Sequence, residues 1–382
     1  MRVLVVGSGI AGQTLACALA RRGIGCDMVE IKPAFEIAGA GLYVQGPALR
    51  AFLDIGVVDA IIRDGEPLAD DYSLACDADG NVLARPRYPR IAGPAIPAVV
   101  PIRRKSLHDI LARAVEAAGV TVRMGVTVET IDDAGACVDV RFNDGVRGGY
   151  DLVVGADGIR SRVRTLTFGA IEPVFTGYAN WRVVLPRPPG LERTTWMMGR
   201  GKSFGIIPIA ADEVYIGGVS KQPGNPRYER ERLPALCREK FAEFGGFAPA
   251  LLAQVNAPEQ VVYTPIEEVL LAPPWHKGRV VVLGDAAHAG TPFWAMGASM
   301  AIEDAVLLAM LLEHRAPLAG TLAAWMTRRH ERCVFVQRGS METGRRSHDE
   351  APGALEARDH YIRNLMHADV ERRFAKLAEP FF

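Results

Sequence analysis

The sequence predicts an α/β fold in which a parallel sheet flanked by helices carries an inserted, mainly antiparallel β-sheet and is followed by C-terminal helices. Three observations predict this architecture. Residues 2–30 have the pattern of a strand–helix–strand unit, and short β-like runs separated by Pro and Gly fill residues 176–265. From residue 279 a buried strand followed by a long apolar helix appears again.

The first unit begins with a short β-branched apolar run, RVLVV at residues 2–6, which is typical of a buried parallel strand. Apolar residues after Gly12 predict a helix that ends at Gly23, and residues 26–30 predict a second strand. Further helices are predicted over residues 105–118, 230–243, 298–312 and 320–340, and further strands over residues 121–129, 137–142, 151–155 and 279–283.

These elements predict two domains and a tail. The first domain is discontinuous, the second is the inserted β-sheet, and the tail is charged and helical. Their predicted bounds are residues 1–70, 101–175 and 273–345 for the first domain, 71–100 and 176–272 for the second, and 346–382 for the tail.

Composition excludes several classes of protein. The 382 residues include 44 Lys and Arg and 44 Asp and Glu, so no net positive charge is available to attract nucleic acid. Six scattered cysteines without a C-x-x-C pair argue against a zinc site or a disulfide framework. No apolar run reaches the roughly 18 residues of a membrane span, and no signal peptide is visible. We therefore expect a cytoplasmic protein with no membrane span and no bound metal.

The turn between the first strand and the first helix carries the pattern G-x-G-x-x-G at Gly7, Gly9 and Gly12. The first glycine permits the tight turn, the second lets the backbone approach a pyrophosphate, and the third allows close helix packing. The helix N-terminus, at Ile10 and Ala11, offers free N–H groups to phosphate. Glu30 ends the second strand, where a carboxylate accepts hydrogen bonds from ribose hydroxyls. The pattern predicts a dinucleotide site of the Rossmann type and leaves FAD and NAD both open.

Two later segments resemble known motifs. DLVVGADGIRS at residues 151–161 is similar to the DG motif of flavoprotein hydroxylases, and VVVLGDAAH at residues 280–288 to their GD motif. A helix opening GASMAIEDA at residues 297–305 follows. In order and spacing these motifs resemble the class A flavin monooxygenases, such as para-hydroxybenzoate, salicylate, urate and alkylquinolone hydroxylases, over roughly residues 1–340.

The resemblance implies FAD as cofactor, NADH or NADPH as co-substrate, and molecular oxygen. It implies a flavin C4a-hydroperoxide that hydroxylates a small aromatic or heteroaromatic compound, in a monomer or homodimer. Arg104 would reach the FAD phosphates and ribityl chain, with Arg103 as its alternative, and Asp285 would bind a ribityl hydroxyl. The other residues that the resemblance assigns to FAD are Gly39-Ala40-Gly41, Asp157, Gly158, Gly284, Gly297 and Ala298.

The substrate is expected against the inserted sheet and the segment that follows the GD motif. Aromatic walls with a few polar groups suit a flat apolar ligand. The candidate residues are Trp181, Arg182, Phe204, Tyr215, Pro292, Phe293 and Trp294. No catalytic base is assigned, because His288 is more often a packed, hydrogen-bonded histidine than a base.

Two departures from the family pattern bear on the site. Relatives usually have Gln where this chain has Met296, which predicts a less polar surface beside the flavin. Several relatives have Lys-Arg where this chain has Lys202-Ser203, so an arginine that anchors an anionic substrate is absent there. Two alternatives stay open: another FAD reaction on the same framework, such as that of an oxidase, an epoxidase or a non-aromatic monooxygenase, and a flavin protein that has lost its chemistry.

Overall fold

The computed structural model describes residues 1–34 and 40–380. The first half of the chain alternates strands and helices. In chain order its elements are β1 (Arg2–Val6), α1 (Ile10–Ala20), β2 (Gly25–Glu30), β3 (Gly41–Gln45), α2 (Gly46–Ile55), α3 (Val58–Asp64), β4 (Leu74–Asp77), β5 (Val82–Ala84), β6 (Val99–Arg103), α4 (Arg104–Ala117), β7 (Val122–Met124), β8 (Val128–Asp133), β9 (Val138–Phe142), β10 (Arg147–Tyr150), β11 (Leu152–Gly155) and α5 (Arg162–Phe168).

The second half begins with long strands and ends in helices. Its elements are β12 (Val174–Pro186), β13 (Thr195–Met198), β14 (Lys202–Pro208), β15 (Glu213–Lys221), α6 (Leu233–Lys240), α7 (Ala248–Leu252), β16 (Val262–Glu268), β17 (His276–Lys277), β18 (Val280–Val282), α8 (Asp285–His288), α9 (Gly297–Glu313), α10 (Leu318–Ser347), α11 (Ala354–Asn364) and α12 (Met366–Ala378). Short 3-10 helices lie at Ala69–Asp71, Arg230–Arg232, Pro258–Gln260 and Pro292–Trp294.

The first sheet has the strand order β17-β18-β11-β1-β2-β7, and its strands run parallel except for β17. Its central strands are apolar on both faces because helices cover both, and Val3, Val154 and Val281 are fully buried. The sheet places the carboxyl ends of β1, β2, β11 and β18 along one edge. Ligands bind at this edge in open α/β sheets.

The second sheet has seven strands in the order β16-β12-β15-β14-β13-β4-β5. Its pairs are antiparallel except for β13 with β4. One face packs on α6 and α7 through a second apolar cluster that includes Trp181, Phe204 and Phe241. The other face is therefore available to a ligand. Two small antiparallel sheets, β10-β9-β8 and β3-β6, complete the fold.

The C-terminal helices pack on the body of the protein. Phe374 and Leu377 of α12 are fully buried, and the Phe374 ring meets the Tyr88 ring edge-on at 5.8 Å between centroids. Arg50 and Arg332 donate hydrogen bonds to the Leu377 carbonyl at the end of α12, at 3.1 and 2.6 Å. The tail is thus a fixed part of the structure.

The predicted fold is confirmed, with two local differences. The strand predicted over residues 121–129 is divided between β7 and β8, because Gly125 takes a φ of +74° that interrupts the extended chain. The helix predicted over residues 230–243 is shorter, since residues 230–232 form a 3-10 turn. Among residues 1–34 and 40–380, no helix combines the length and the apolar character needed to cross a bilayer.

Candidate active site

A cavity of about 630 Å³ runs from the edge of the parallel sheet to the open face of the second sheet and on to the C-terminal helices. This volume lies within the usual range for ligand sites of small molecules and cofactors, about 300–1,000 Å³. Most of the residues predicted for FAD and most of those predicted for a substrate line this one space.

The glycine turn forms one end of the cavity. Gly7 takes a φ of +102°, and its N–H donates to the Val29 carbonyl at 2.8 Å, which ties the turn to β2. A Cβ added to Gly9 would meet nothing within 4 Å, so the backbone there is open to a ligand. Gly9, Ile10 and Ala11 line the cavity. The free N–H groups of the first turn of α1 therefore suit a diphosphate.

Gly12 has a packing role and does not line the cavity. A Cβ at Gly12 would lie 1.9 Å from the Gly7 carbonyl oxygen, a backbone atom that cannot turn aside. Gly284 is also tightly packed, between two helices. A Cβ added there would lie 3.0 Å from the Ala301 Cβ and 3.5 Å from the Ala11 Cβ. Both glycines lie behind the cavity wall, where they permit the close packing that supports it.

Glu30 ends β2 beside the glycine turn. One of its carboxylate oxygens accepts a hydrogen bond from the Ser8 N–H at 2.8 Å, and the residue lines the cavity. A carboxylate in this position fits ribose hydroxyls, and its bond to Ser8 holds the turn in place.

Arg104, at the start of α4, lines the cavity and makes no hydrogen bond or ion pair with another described side chain. Its neighbour Arg103 is paired with Glu213 and does not line the cavity. Of the two arginines, the structure therefore makes only Arg104 available to a phosphate.

The carboxylate of Asp157 organises the loop that follows β11. It accepts hydrogen bonds from Ser161 Oγ at 2.5 Å and from the N–H groups of Arg162 and Val163 at 2.7 and 3.0 Å. Burial raises the pKa of Asp157, and these three donors oppose the rise. Asp157 thus accepts N–H groups from the first turn of α5, and both Asp157 and Gly158, with a φ of +79°, line the cavity.

Asp285 follows β18 and lines the cavity, and its carboxylate accepts no hydrogen bond from any described residue. Both oxygens are available to ligand hydroxyls. The first turn of α9, Gly297 and Ala298, lies in the same wall. The positive end of this 17-residue helix favours negative charge at that point.

His288 lies behind this wall. It is buried, does not line the cavity, and its Nε2 lies 2.6 Å from a carboxylate oxygen of Asp304. Burial favours the neutral imidazole, but Cys333 and Asp304 together hold the pKa of His288 above its ordinary value. His288 therefore belongs to a buried network behind the cavity wall.

The open face of the second sheet supplies the next wall. Side chains alternate between the two faces of a strand, so Asn180 and Arg182 line the cavity while Trp181 between them does not. Arg182 donates a 2.8 Å hydrogen bond to Thr264 Oγ1, and burial lowers its pKa. The ring of Tyr215 lies over Gly41, where an added Cβ would come within 2.9 Å of it.

Two of the predicted substrate residues do not line this cavity. Trp181 and Phe204 are fully buried in the apolar cluster on the opposite face, where they pack on Phe241 at centroid distances of 6.3 and 5.3 Å. Ser203, next to Phe204, takes the position on the cavity. The apolar sequence of these strands gave no sign of which alternate residues face the ligand.

Pro292, Phe293 and Trp294 line the cavity as predicted from the motif. The turn ends at Ala295, which takes a left-handed φ of +51°, and Gln45 donates hydrogen bonds to the carbonyls of Trp294 and Ala295 at 2.7 and 3.1 Å. Met296 does not line the cavity but is buried in the main core. The Met296 side chain therefore does not contribute to the surface of this cavity.

The predicted loop at residues 39–41 is described only in part. Gly41 begins β3 and lines the cavity, whereas Gly39 lies outside the described residues. The Ala40 carbonyl accepts a hydrogen bond from the Arg104 N–H at 3.2 Å, which joins this segment to α4.

Sequence reasoning missed the wall that the C-terminal helices provide. The residues concerned are Thr343, Arg346, Ser347, His348, Arg358, Tyr361, Ile362, Met366, Asp369, Val370 and Arg373. One signal in the sequence could have found it: Ile362, Val370, Phe374 and Leu377 follow helical spacing, which indicates a face packed against the body.

His348 is 1% exposed and connects this wall to the sheet. Its Nδ1 lies 2.9 Å from the Gly344 carbonyl, which can only accept, so Nδ1 carries the proton. Nε2 then accepts the hydrogen bond from Ser203 Oγ at 3.1 Å. The Ser203 oxygen, whose proton is engaged in this bond, is left as an acceptor facing the cavity.

Replacing His348 with Gln is expected to flatten the dependence of stability on pH. Burial lowers the pKa of His348 to about 4, against the partial opposition of the Gly344 carbonyl. The folded pKa lies below the unfolded value of about 6.5. The stability that the neutral His348 contributes is therefore fully present above pH 6.5 and is lost as pH falls towards 4. The free energy of unfolding is measured with urea at pH 7.5 and at pH 4.5. Its fall between these two pH values should be larger in the native protein than in His348→Gln, by up to about 3 kcal/mol. Equal differences for the two proteins would refute this assignment.

The comparisons with known proteins agree with this geometry. The FAD binding domain family matches residues 1–336. The chain is 32% identical over 380 residues to the 2-heptyl-3-hydroxy-4(1H)-quinolone synthase of Pseudomonas aeruginosa, covering 99% of this chain and 97% of that enzyme. It belongs to the class A FAD-dependent monooxygenases.

Other relatives in this monooxygenase family act on different rings. The 6-hydroxynicotinate 3-monooxygenase of Bordetella bronchiseptica is 30% identical over 351 residues, which are 89% of this chain and 90% of that enzyme. The structure of HpxO from Klebsiella pneumoniae with FAD and uric acid superposes with a TM-score of 0.89 at 23% identity, covering 100% and 98% of the two chains. The names of these proteins thus mention three different ring compounds: a quinolone, 6-hydroxynicotinate and uric acid.

Proposed function

We propose that this monooxygenase consumes NADH or NADPH and oxygen to hydroxylate a small heteroaromatic ring held against the open face of the second sheet. The observation that carries the proposal is the continuity of the cavity. Its one end has the glycine turn, Glu30 and Asp285, which suit FAD, and its other end has aromatic and polar side chains that suit a ring. Two relatives support the heteroaromatic class, since one is named as the synthase of a hydroxyquinolone and the other as a 6-hydroxynicotinate monooxygenase.

Bound FAD supplies the redox chemistry: it accepts hydride from the nicotinamide and activates oxygen. The protein would hold it through Arg104 at the phosphates, Glu30 at the adenosine ribose and Asp285 at the ribityl chain. The N-terminus of α9 would stabilise negative charge on the reduced ring system. We assign these roles to the parallel-sheet part, residues 1–70, 101–175 and 273–345.

The substrate part, residues 71–100 and 176–272, would orient the ring together with the tail. Ser203 Oγ offers an acceptor to a ring O–H or N–H, because its own proton is donated to His348. Arg182 and Tyr215 offer donors, and burial raises the pKa of Tyr215, which keeps the phenol protonated at neutral pH. Phe293 and Trp294 exclude water from the space beside the ring.

All six cysteines are free thiols: four are buried, Cys17, Cys76, Cys237 and Cys333, and two are partly buried, Cys26 and Cys137. We propose a cytoplasmic enzyme, monomeric or homodimeric, in keeping with thiols of this kind.

The proposed function predicts that NADH or NADPH bleaches the bound flavin under anaerobic conditions and that a true substrate accelerates this bleaching. The measurement is stopped-flow absorbance near the flavin maximum, with a panel of hydroxylated pyridines, quinolones and purines, followed by mass analysis of the product in ¹⁸O₂. One added ¹⁸O atom on the ring is the expected result. A flavin that neither nucleotide bleaches would contradict the proposal, and hydrogen peroxide without labelled product would indicate an oxidase.

A further inference from the structure

Two arginines of the C-terminal helices enter the cavity without a carboxylate partner. Arg346 of α10 lies with its guanidinium carbon 3.7 Å from the centroid of the Tyr361 ring. Arg373 of α12 lies 4.7 Å from the centroid of the Trp294 ring. Neither makes a hydrogen bond or ion pair with another described residue, and both line the cavity. Aromatic faces hold their charges in place without neutralising them.

Arg373 is the more shielded of the two. Its Nε is shut off from solvent and has no hydrogen-bond partner among the described residues. Burial lowers the pKa of Arg373, and the charge of Asp369 opposes this without a direct ion pair. Such a group is costly unless an anion pairs with it, and its planar donors match a carboxylate in two-point contact.

One carboxylate, that of Asp369, acts electrostatically on both arginines but makes no hydrogen bond or ion pair with either. Asp369 also lines the cavity, but its carboxylate already accepts hydrogen bonds from Tyr361 at 2.6 Å and from Arg372 at 3.0 Å. Arg358 adds a further positive charge, paired with Asp359 and donating to the Gly199 carbonyl. The other carboxylates of the cavity wall, Glu30, Asp157 and Asp285, come from the parallel-sheet edge.

On the second sheet, Lys202 is bound to Glu243 at 3.1 Å. Arg182 donates to the neutral Thr264 Oγ1 and has a buried Nε without a hydrogen-bond partner among the described residues, so it is the competing position for an anion. Trp294, on which Arg373 rests, belongs to the turn that leads into α9. An acid group held by Arg373 would therefore leave its attached ring on the cofactor side of the same cavity.

We propose, resting on the monooxygenase function proposed above, that the substrate is a heteroaromatic carboxylic acid whose carboxylate binds to Arg373 and Arg346. The tail helices thus select the charge of the substrate, and the sheet orients its ring. This site differs in position from Lys202-Ser203, where several relatives have Lys-Arg and this chain lacks the arginine.

The test compares ring acids with their own amides on the FAD-loaded enzyme. The probes are 6-hydroxynicotinate with 6-hydroxynicotinamide, and 4-hydroxyquinoline-2-carboxylate with its carboxamide, titrated against the flavin absorption spectrum. The acid of at least one pair is expected to bind about tenfold or more tightly than its amide, as expected for a charge-assisted contact. Arg373→Gln and Arg346→Gln should each remove most of that preference, mainly by weakening the binding of the acid.

Arg363→Gln is the matched control, because it removes the same charge from an exposed position of α11. It should leave the preference intact, and flavin content and thermal unfolding check that each variant is folded. The proposal is overturned if no acid binds more tightly than its amide, or if the preference survives in the Arg346→Gln/Arg373→Gln double variant. Flavin bleaching by NADH is measured separately, so a failed monooxygenase function and a failed anion site give different results.

Discussion

Replacing Gly12 with alanine is expected to abolish FAD retention and to destabilise the protein by more than about 3 kcal/mol. The added Cβ would lie 1.9 Å from the Gly7 carbonyl oxygen and 3.4 Å from Val5 Cγ1. Because the first obstacle is backbone, only a displacement of α1 or of the turn can relieve it. Either movement disturbs the N–H groups that the cavity presents to a diphosphate. The FAD-to-protein absorbance ratio and urea unfolding measure the two effects.

A second glycine variant separates ligand crowding from loss of fold. Gly9→Ala adds a Cβ that meets nothing within 4 Å, so the free energy of unfolding should stay close to that of the native protein. FAD affinity should nevertheless fall, since the methyl group occupies space where the backbone approaches the diphosphate. Gly320→Ala, at an exposed helical position, should change neither property by much and serves as the control. A Gly12→Ala enzyme that keeps its flavin and its stability would contradict the packing argument.

The cofactor end of the site was predictable because its determinants are local. The spacing of Gly7, Gly9 and Gly12 and the acid at Glu30 encode one turn and the end of the next strand. Placing Arg104, Asp285 and Gly297 needed the family resemblance as well, since their approach to the cavity depends on how distant segments meet. Asp157 illustrates a limit: its motif was evident, but its carboxylate caps α5.

The substrate end depends on facts that no local pattern contains. Strands such as WRVVLP are apolar at consecutive positions, so their sequence does not show that Arg182 faces the ligand and Trp181 the core. The docking of the tail is set by bonds between residues more than 300 positions apart, such as Arg50 with the Leu377 carbonyl. The helical prediction for residues 346–382 could not therefore show that Arg346, His348 and Arg373 enter the cavity.

Replacing Arg329 with Met is expected to destabilise the protein by about 3–5 kcal/mol, the usual cost of removing one partner from a buried ion pair. Arg329 donates to Asp304 at 2.6 Å and to Glu303 at 2.8 Å, and all three side chains are fully buried. Asp304 also accepts the Gly284 N–H at 3.0 Å, directly before Asp285. FAD affinity should fall with stability, because the loss of Arg329 loosens the strand end that presents Asp285. Urea unfolding and flavin retention measure both.

Arg328→Met, on the exposed side of the same helix, removes an equal charge and should change stability by no more than about 0.5 kcal/mol. The pH dependence adds a second criterion. Burial opposes ionisation of Asp304, but His288 and Arg329 hold its pKa below the ordinary value. Because the folded pKa is lowered, the ionised carboxylate contributes stability that is fully present above the pKa of the unfolded state, about 4. That stability is lost as pH falls below this value. Without Arg329 the pKa of Asp304 rises, so acid unfolding should begin at a higher pH in Arg329→Met than in Arg328→Met. If both variants unfold at the same pH, the ion pair does not contribute to stability, and packing alone joins α9 to α10.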